Sequence, residues 1–392
     1  MRDHWESCKE SLRRSLPPRV FSAACDVIPK IIGCRTEANG FATLRCQCGY
    51  TQRVPFTCKA RFCPSCGVAN AARAAEKIRG RLLNVRHRHM VFTIPQQLRW
   101  LFFRDRRLLK LFSDAAAQTL LEIIDRHCKA ARVLPGIVCT VHTFGQALNF
   151  HPHVHVLVTE GGLQGECKWQ PVTYFSPVSV GRRFQYHLLT ALRRKFKHNR
   201  KVLALIGRCF DRCPNGFGVN LVSAYRNAWK AAAYCCRYTG RPPIAESRII
   251  DYDGRNVTYG YKDYASEQRK QVTVSAAEFL FLLLQHLPPK NDRMVRYYGL
   301  YARRARAGLF DVVALVSKFV YTVPESKTRA LRWRERLQAV FETDPYRCPN
   351  CGKLMQLVDW HYPPPRGSPD APAHWKRRSQ AECNGQLSLC PL

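Results

Sequence analysis

The chain has 392 residues, enough for two or three domains and at least one sizeable core. Lysine and arginine total 63 against 28 acidic residues. The resulting formal net charge of +35 is spread from Arg13 to Arg378 and selects a polyanion as partner. No apolar run approaches the roughly 20 residues that span a bilayer, and the amino terminus lacks a signal-peptide core, so membrane and secreted classes are set aside.

Nineteen cysteines, several in Cys-x-Cys or Cys-x-x-Cys pairs, point to zinc in a reducing cytoplasm rather than to a disulfide scaffold. Residues 1 to about 40 carry an amphipathic pattern of short helices broken at Pro17-Pro18 and Pro29, with Cys8, Cys25 and Cys34 as buried thiols among apolar neighbours. Then come Cys46, Cys48, Cys58, Cys63 and Cys66. Cys63-Pro-Ser-Cys66-Gly67 is a knuckle whose two thiolates fit one tetrahedral zinc, the glycine permitting the tight turn. A closed site takes four ligands, and the favoured set is Cys48, Cys58, Cys63 and Cys66, with Cys46 the alternative. Arg53, Lys59 and Arg61 in the same loop would face phosphates.

Alanine and arginine from Ala69 to Leu83 predict a helix leading into a short strand at His89–Pro95. Leu98–Ala131 predicts a long helix or helix pair, and Val133–Thr143 a strand. Asn149–Leu163 holds an apolar, β-branched run that reads as a buried strand. Strands alternate their faces, so His153 and His155 project from one side, roughly 7 Å apart, and suit two imidazoles gripping one divalent metal. His151 shares their parity, while Val154 and Val156 point into a core. The β-α-β-β order with an antiparallel pair predicts an α+β fold, a sheet layered with helices.

Arg182-Arg183 and Arg193-Arg194-Lys195 lie on a predicted basic helix. Alanine-rich sequence around Ala231–Ala233 predicts another, ended by Gly240 and Pro242-Pro243, that carries Tyr234 and Tyr238 on one face with Arg237 beside them. Arg248–Val274 alternates as two or three strands, and Ser275 caps a helix with Glu278 at the capping-box position. Cys348-Pro-Asn-Cys351-Gly352 is half a zinc ribbon whose partners are open, with His361, Cys383 and Cys390 as candidates.

A histidine pair holding a metal and a tyrosine pair on a helix make a chemical kit: the tyrosine oxygen attacks phosphorus while the cation polarises the phosphate, and Arg237 offsets the growing charge. His153-Val-His155-Val-Leu-Val resembles the histidine-hydrophobe-histidine (HUH) motif of rolling-circle replication proteins, relaxases and single-strand transposases. The order of the cysteine-rich knuckle, Phe92-Thr-Ile-Pro, His142-Thr-Phe-Gly-Gln-x-Leu-Asn-Phe-His-Pro-His-Val-His, Tyr234-x-x-x-Tyr-Thr-x-Arg-Pro-Pro and Arg296-Tyr-Tyr-Gly-Leu is similar to the rolling-circle transposases of the insertion sequence 91 family. The likeness runs from about residue 10 to 355.

The resemblance implies an HUH endonuclease-like antiparallel sheet flanked by helices, with an amino-terminal zinc-binding module. It implies a bacterial, cytoplasmic, nucleoid-associated transposase that cleaves and rejoins single-stranded DNA at transposon ends and target through a 5′-phosphotyrosine. His153 and His155 would hold catalytic Mg²⁺ or Mn²⁺, Tyr234 and Tyr238 would be nucleophiles, and Zn²⁺ would be structural. Gln146 is taken as the third ligand, with Glu160, His142 and His151 as alternatives. The expected domains are 1–75 for the zinc module, 76–305 for the nuclease, and 306–392 for a helical region with the half-ribbon and a tail. The competing readings are a plasmid replication initiator or relaxase, and a zinc-dependent DNA-binding regulator with no enzymatic step.

Overall fold

The computed structural model describes residues 1–79, 81–83, 85–127, 133–164, 168–172, 174–225, 243–263, 266–302, 334, 338 and 344–362. In chain order these form α1 (Trp5–Ser15), α2 (Pro18–Ile32), β1 (Phe41–Arg45), β2 (Thr51–Pro55), α3 (Pro64–Arg79), β3 (His87–Thr93), α4 (Gln96–Arg104) and α5 (Leu108–His127). There follow β4 (Val133–Leu134), β5 (Gly136–Phe144), β6 (Phe150–Thr159), β7 (Gly161–Gln164), β8 (Lys168–Pro171), α6 (Pro177–Lys195), α7 (Arg200–Arg212) and β9 (Val219–Tyr225). The last are β10 (Ile249–Tyr252), β11 (Asn256–Lys262), β12 (Arg269–Ser275), α8 (Ala276–Leu284), β13 (Val295–Gly299) and β14 (Gln356–His361).

The central feature is a five-stranded sheet in the order β13-β5-β6-β3-β9, every neighbouring pair antiparallel. β6, the histidine-bearing strand, lies in the middle with both edges paired, and from Val154 to Thr159 it is buried throughout, which explains its apolar, β-branched sequence there. Val154, Val156 and Val158 join Met90, Phe92, Cys139 and Val141 in the main core with α4, α5 and α6. Phe184 meets Phe92 edge-on at 5.0 Å and stacks on Phe112 at 5.5 Å, so aromatic rings fasten α5 and α6 to the sheet. Burial of each such side chain contributes about 1.5–3 kcal/mol. The reverse face is covered at one end, where Val138 and Leu157 meet Ile78, Leu82, Leu83 and Tyr301.

A second core joins α1 and α2 to β11, β12 and α8, through Trp5, Val20 and Ile28 on one side and Tyr259, Leu280 and Leu284 on the other. Residues distant in sequence therefore share packing, and β1 pairs with β14 as well as with β2. No helix among the described residues is long and apolar enough to cross a membrane.

Several expectations change in detail. Pro29 lies within α2 rather than ending it, in the last turn, where only three helical residues follow the hydrogen bond it removes. The expected helix or helix pair from Leu98 is two helices, divided at Asp105. Val219–Tyr225 is a strand, and Val295–Gly299, with no strand expected there, is the sheet's outer edge. Gly299 adopts φ 57° and passes so close to the Pro135 carbonyl that a Cβ there would meet its oxygen at 1.8 Å.

His87 is fully buried and its partners define its proton. Nδ1–H donates to the Val85 carbonyl at 2.8 Å, leaving Nε2 to accept from the Tyr301 hydroxyl at 2.7 Å. The Leu83 N–H in turn donates to the Tyr301 oxygen at 3.2 Å. Burial pushes the His87 pKa down from 6.5 to about 4. The fold thus favours the neutral ring, so its stabilising effect is complete above about pH 6.5 and is lost as pH falls toward 4, an effect of up to about 3 kcal/mol. Urea unfolding at pH 7.5 and at pH 5 should show a smaller acid-induced loss of stability in His87→Gln than in the parent; equal losses would contradict this account.

Candidate metal centres

The register of β5 on β6 sets His142 opposite His153 and Thr140 opposite His155. Directly paired residues share a face, so three imidazoles converge where the sequence alone promised two. Ligand nitrogens of His142, His153 and His155 all lie within 4.8 Å of one another, and the ring centroids of His142 and His155 are 4.4 Å apart. A metal about 2.1 Å from each nitrogen closes that span with small side-chain movement.

Hydrogen bonds orient two of the rings. A carbonyl can only accept, so His153 Nδ1–H donates to the His151 carbonyl at 2.9 Å and Nε2 keeps its lone pair. His155 Nδ1 lies 3.0 Å from His89 Nε2, on the neighbouring strand β3. A metal taken through His155 Nε2 leaves Nδ1–H to donate to His89, the outer support that metal-binding imidazoles commonly have. Burial lowers the pKa of all three. His142 is pushed well down by burial and by His155, His153 and His89; His153 is lowered chiefly by burial; His155 falls to about 2 through burial and its His153 and His89 neighbours. The cluster is therefore neutral, the form in which imidazole binds metals.

The third imidazole that joins the expected pair is His142. Gln146, the expected third ligand, is exposed in the β5–β6 turn, where its carbonyl accepts from Arg248 Nη2 at 2.6 Å. Glu160 follows β6 and is committed to ion pairs with Arg86 at 2.9 Å and Arg88 at 2.5 Å. His151 begins the strand's histidine series and contributes its carbonyl to His153. Tyr234, Arg237 and Tyr238 lie outside the described residues, as do Cys383 and Cys390.

The turn beside the histidines is held from α8. Leu148 adopts φ 61°, and its carbonyl accepts from Gln285 Nε2 at 3.0 Å and His286 Nε2 at 2.8 Å. His286 Nδ1 then accepts from the Thr143 hydroxyl at 3.1 Å, next to His142. Tyr259 donates to the Ala147 carbonyl at 3.2 Å. A cavity of about 560 Å³ opens beside His142, lined among others by Lys30, Arg61, Phe62, Phe144 and Lys290. Its mixture of cations and aromatic rings suits a nucleotide.

Eight of the cysteines fall into two groups among the described residues. Cys34, Cys58, Cys63 and Cys66 form one, with Sγ–Sγ distances of 3.6 Å for Cys34–Cys66, Cys58–Cys66 and Cys34–Cys63. Zinc with Zn–S bonds of about 2.3 Å gives a tetrahedral edge of about 3.8 Å, which these thiols match. Cys34, expected as a buried thiol, takes the place expected for Cys48 or Cys46. No Cys-x-x-Cys spacing marks it; the Arg35 N–H bonds to the Phe56 carbonyl at 3.2 Å and draws the end of α2 against Cys58. Cys46 and Cys48 instead meet Cys348 and Cys351. His361 is outside that group, in β14 opposite Phe41.

A family model described as "Transposase zinc-binding domain" matches residues 1–94, and one described as "Putative transposase" matches residues 136–308. Together they define a transposase that carries an amino-terminal zinc-binding domain. The transposase for insertion sequence element IS801 from Pseudomonas savastanoi pv. phaseolicola is 30% identical over 351 residues, covering 84% of this chain and 82% of that protein. The "Putative transposase y4qJ" from Sinorhizobium fredii (strain NBRC 101917 / NGR234) is 29% identical over 359 residues, 85% of this chain and 89% of that one. The chain belongs to the insertion sequence 91 family of transposases. No solved structure matches it.

Cys34→Ser and Cys63→Ser should therefore each remove about one equivalent of zinc. Zinc analysis of the purified variants decides: full zinc retention by Cys34→Ser, or its loss from the first group in Cys48→Ser, would restore the sequence-based set.

Proposed function

We propose that this transposase cleaves and rejoins single-stranded DNA through a tyrosine, with His142, His153 and His155 holding one divalent cation. The observation that carries this reading is the convergence of three neutral imidazoles, those of His142 and His155 buried and that of His153 half-buried, on one face of the sheet. Mg²⁺ or Mn²⁺ bound there would polarise the scissile phosphate. Tyr234 or Tyr238 loses its hydroxyl proton and its oxygen bonds to phosphorus; the P–O3′ bond breaks, and the departing 3′-oxygen takes a proton. The 5′-phosphotyrosine retains the phosphate-bond energy, so the reverse attack by a 3′-hydroxyl rejoins the strand without ATP. Arg237 would neutralise charge on the phosphate, and the second tyrosine would take a second strand.

Pairing opposes this attack, because extruding a base from a duplex costs several kcal/mol, and single strands are the favoured substrate. The +35 charge supplies backbone affinity that falls steeply with salt.

His142→Ala should lower cleavage of a single-stranded oligonucleotide by roughly 100-fold or more while leaving binding nearly intact, whereas Gln146→Ala should cleave at close to the parent rate. The reverse ranking would remove His142 from the site. A covalent protein–DNA adduct should form in Tyr234→Phe and in Tyr238→Phe, in reduced amount, and vanish in the double variant. Absence of any adduct in the parent would favour a zinc-dependent DNA-binding regulator.

A further inference from the structure

Cys46 and Cys48 lie in the turn after β1, and Cys348 and Cys351 in the turn before β14, so residues 300 apart in sequence face each other across one small sheet. Cys46 Sγ is 3.3 Å from Cys351 Sγ, Cys48 Sγ is 3.7 Å from Cys348 Sγ, and all four lie within 4.8 Å of one another. These separations are far beyond a disulfide bond of about 2.05 Å and approach the tetrahedral edge of about 3.8 Å expected around zinc.

The two turns are built alike. The Cys46 carbonyl accepts from the Gly49 N–H at 3.0 Å, and the Cys348 carbonyl from the Gly352 N–H at 2.9 Å. Both glycines have positive φ, 90° and 71°, which lets each loop fold back and present its two sulfurs inward. Neither matched family segment, 1–94 or 136–308, contains Cys348 or Cys351.

The sheet around these turns, in the order β14-β1-β2, fully buries Leu44, Cys46, Cys348 and Met355 among the described residues, with Tyr50, Val54, Tyr346 and Leu357 partly buried against them, a small apolar cluster for three short strands. A metal at the end where Arg45 pairs with Gln356 would supply a further constraint. Four thiolates around Zn²⁺ leave a net charge of −2, and Arg45, Arg347 and Lys353 flank the ligands in sequence.

We propose that Cys46, Cys48, Cys348 and Cys351 form a second structural zinc site, shared between the two ends of the chain, that clasps the carboxy-terminal ribbon onto the amino-terminal hairpin. The purified full-length chain should contain about two equivalents of zinc, and Cys351→Ser about one, with the helical circular dichroism signal kept because the α-helices lie outside the small β14-β1-β2 sheet. Cys351→His should restore the second. On the unmutated chain, the exposed thiols Cys48 and Cys351 should alkylate at least about tenfold faster after chelation, with both cysteines read by peptide mass spectrometry. Cys63→Ser should also lose one equivalent but keep Cys48 and Cys351 protected. One zinc in the parent, full zinc in Cys351→Ser, or alkylation rates indifferent to chelation would overturn the proposal. If Cys351→Ser fails to fold, alkylation of the parent decides.

Discussion

The antiparallel register of β5, β6 and β3 is the constraint on which the histidine site depends. A strand offers every second residue to one face, so β6 alone can present His153 and His155 but cannot surround a metal. Pairing with β5 adds His142 directly across from His153, and pairing with β3 brings His89 to support His155. A shift of either neighbour by one residue would turn its histidine into the opposite core. The apolar face of the same strands prevents that slip, because Val154, Val156, Phe92 and Val141 are packed against α4, α5 and α6.

The rest of the described structure fastens this arrangement from outside. The β5–β6 turn, which sets the register, is gripped by α8 through Gln285 and His286, by Tyr259 from β11, and by Arg248. Those elements in turn pack on α1 and α2. The helical start of the chain is thus part of the support for the histidine-bearing turn, and the Cys34 group sits where α2 ends against the knuckle. Buried Arg106 extends the same network: its guanidinium bonds the Gln285 carbonyl at 2.5 Å and lies over the Phe150 ring at 4.4 Å. Desolvation lowers its pKa to about 9.

The candidate metal-ligand groups show how far spacing carries an argument. Cys63 and Cys66 are legible because a two-residue gap and a following glycine are the local geometry of a zinc knuckle. Cys34 is not, because it reaches Cys58 through a turn closed by a backbone bond between Arg35 and Phe56. Cys46 and Cys48 read naturally as part of the nearest knuckle, but the structure places them with cysteines from the other end of the chain. Proximity in sequence misled here since a β-sheet can pair strands at any separation.

Local periodicity and residue chemistry determined an α+β chain with an apolar histidine strand, a zinc knuckle, a capped helix from Ser275 and a polyanion-seeking charge. They also supplied the family, since the long motifs around the histidines and tyrosines are contiguous in sequence. Tertiary structure alone decided the partners: which histidine joins the pair, which cysteines share a group, and that Val295–Gly299 closes the sheet. The physical reason is that periodicity reports which face a residue takes on its own strand, whereas a metal site requires several strands in register, and register is set by turns and packing from distant parts of the chain.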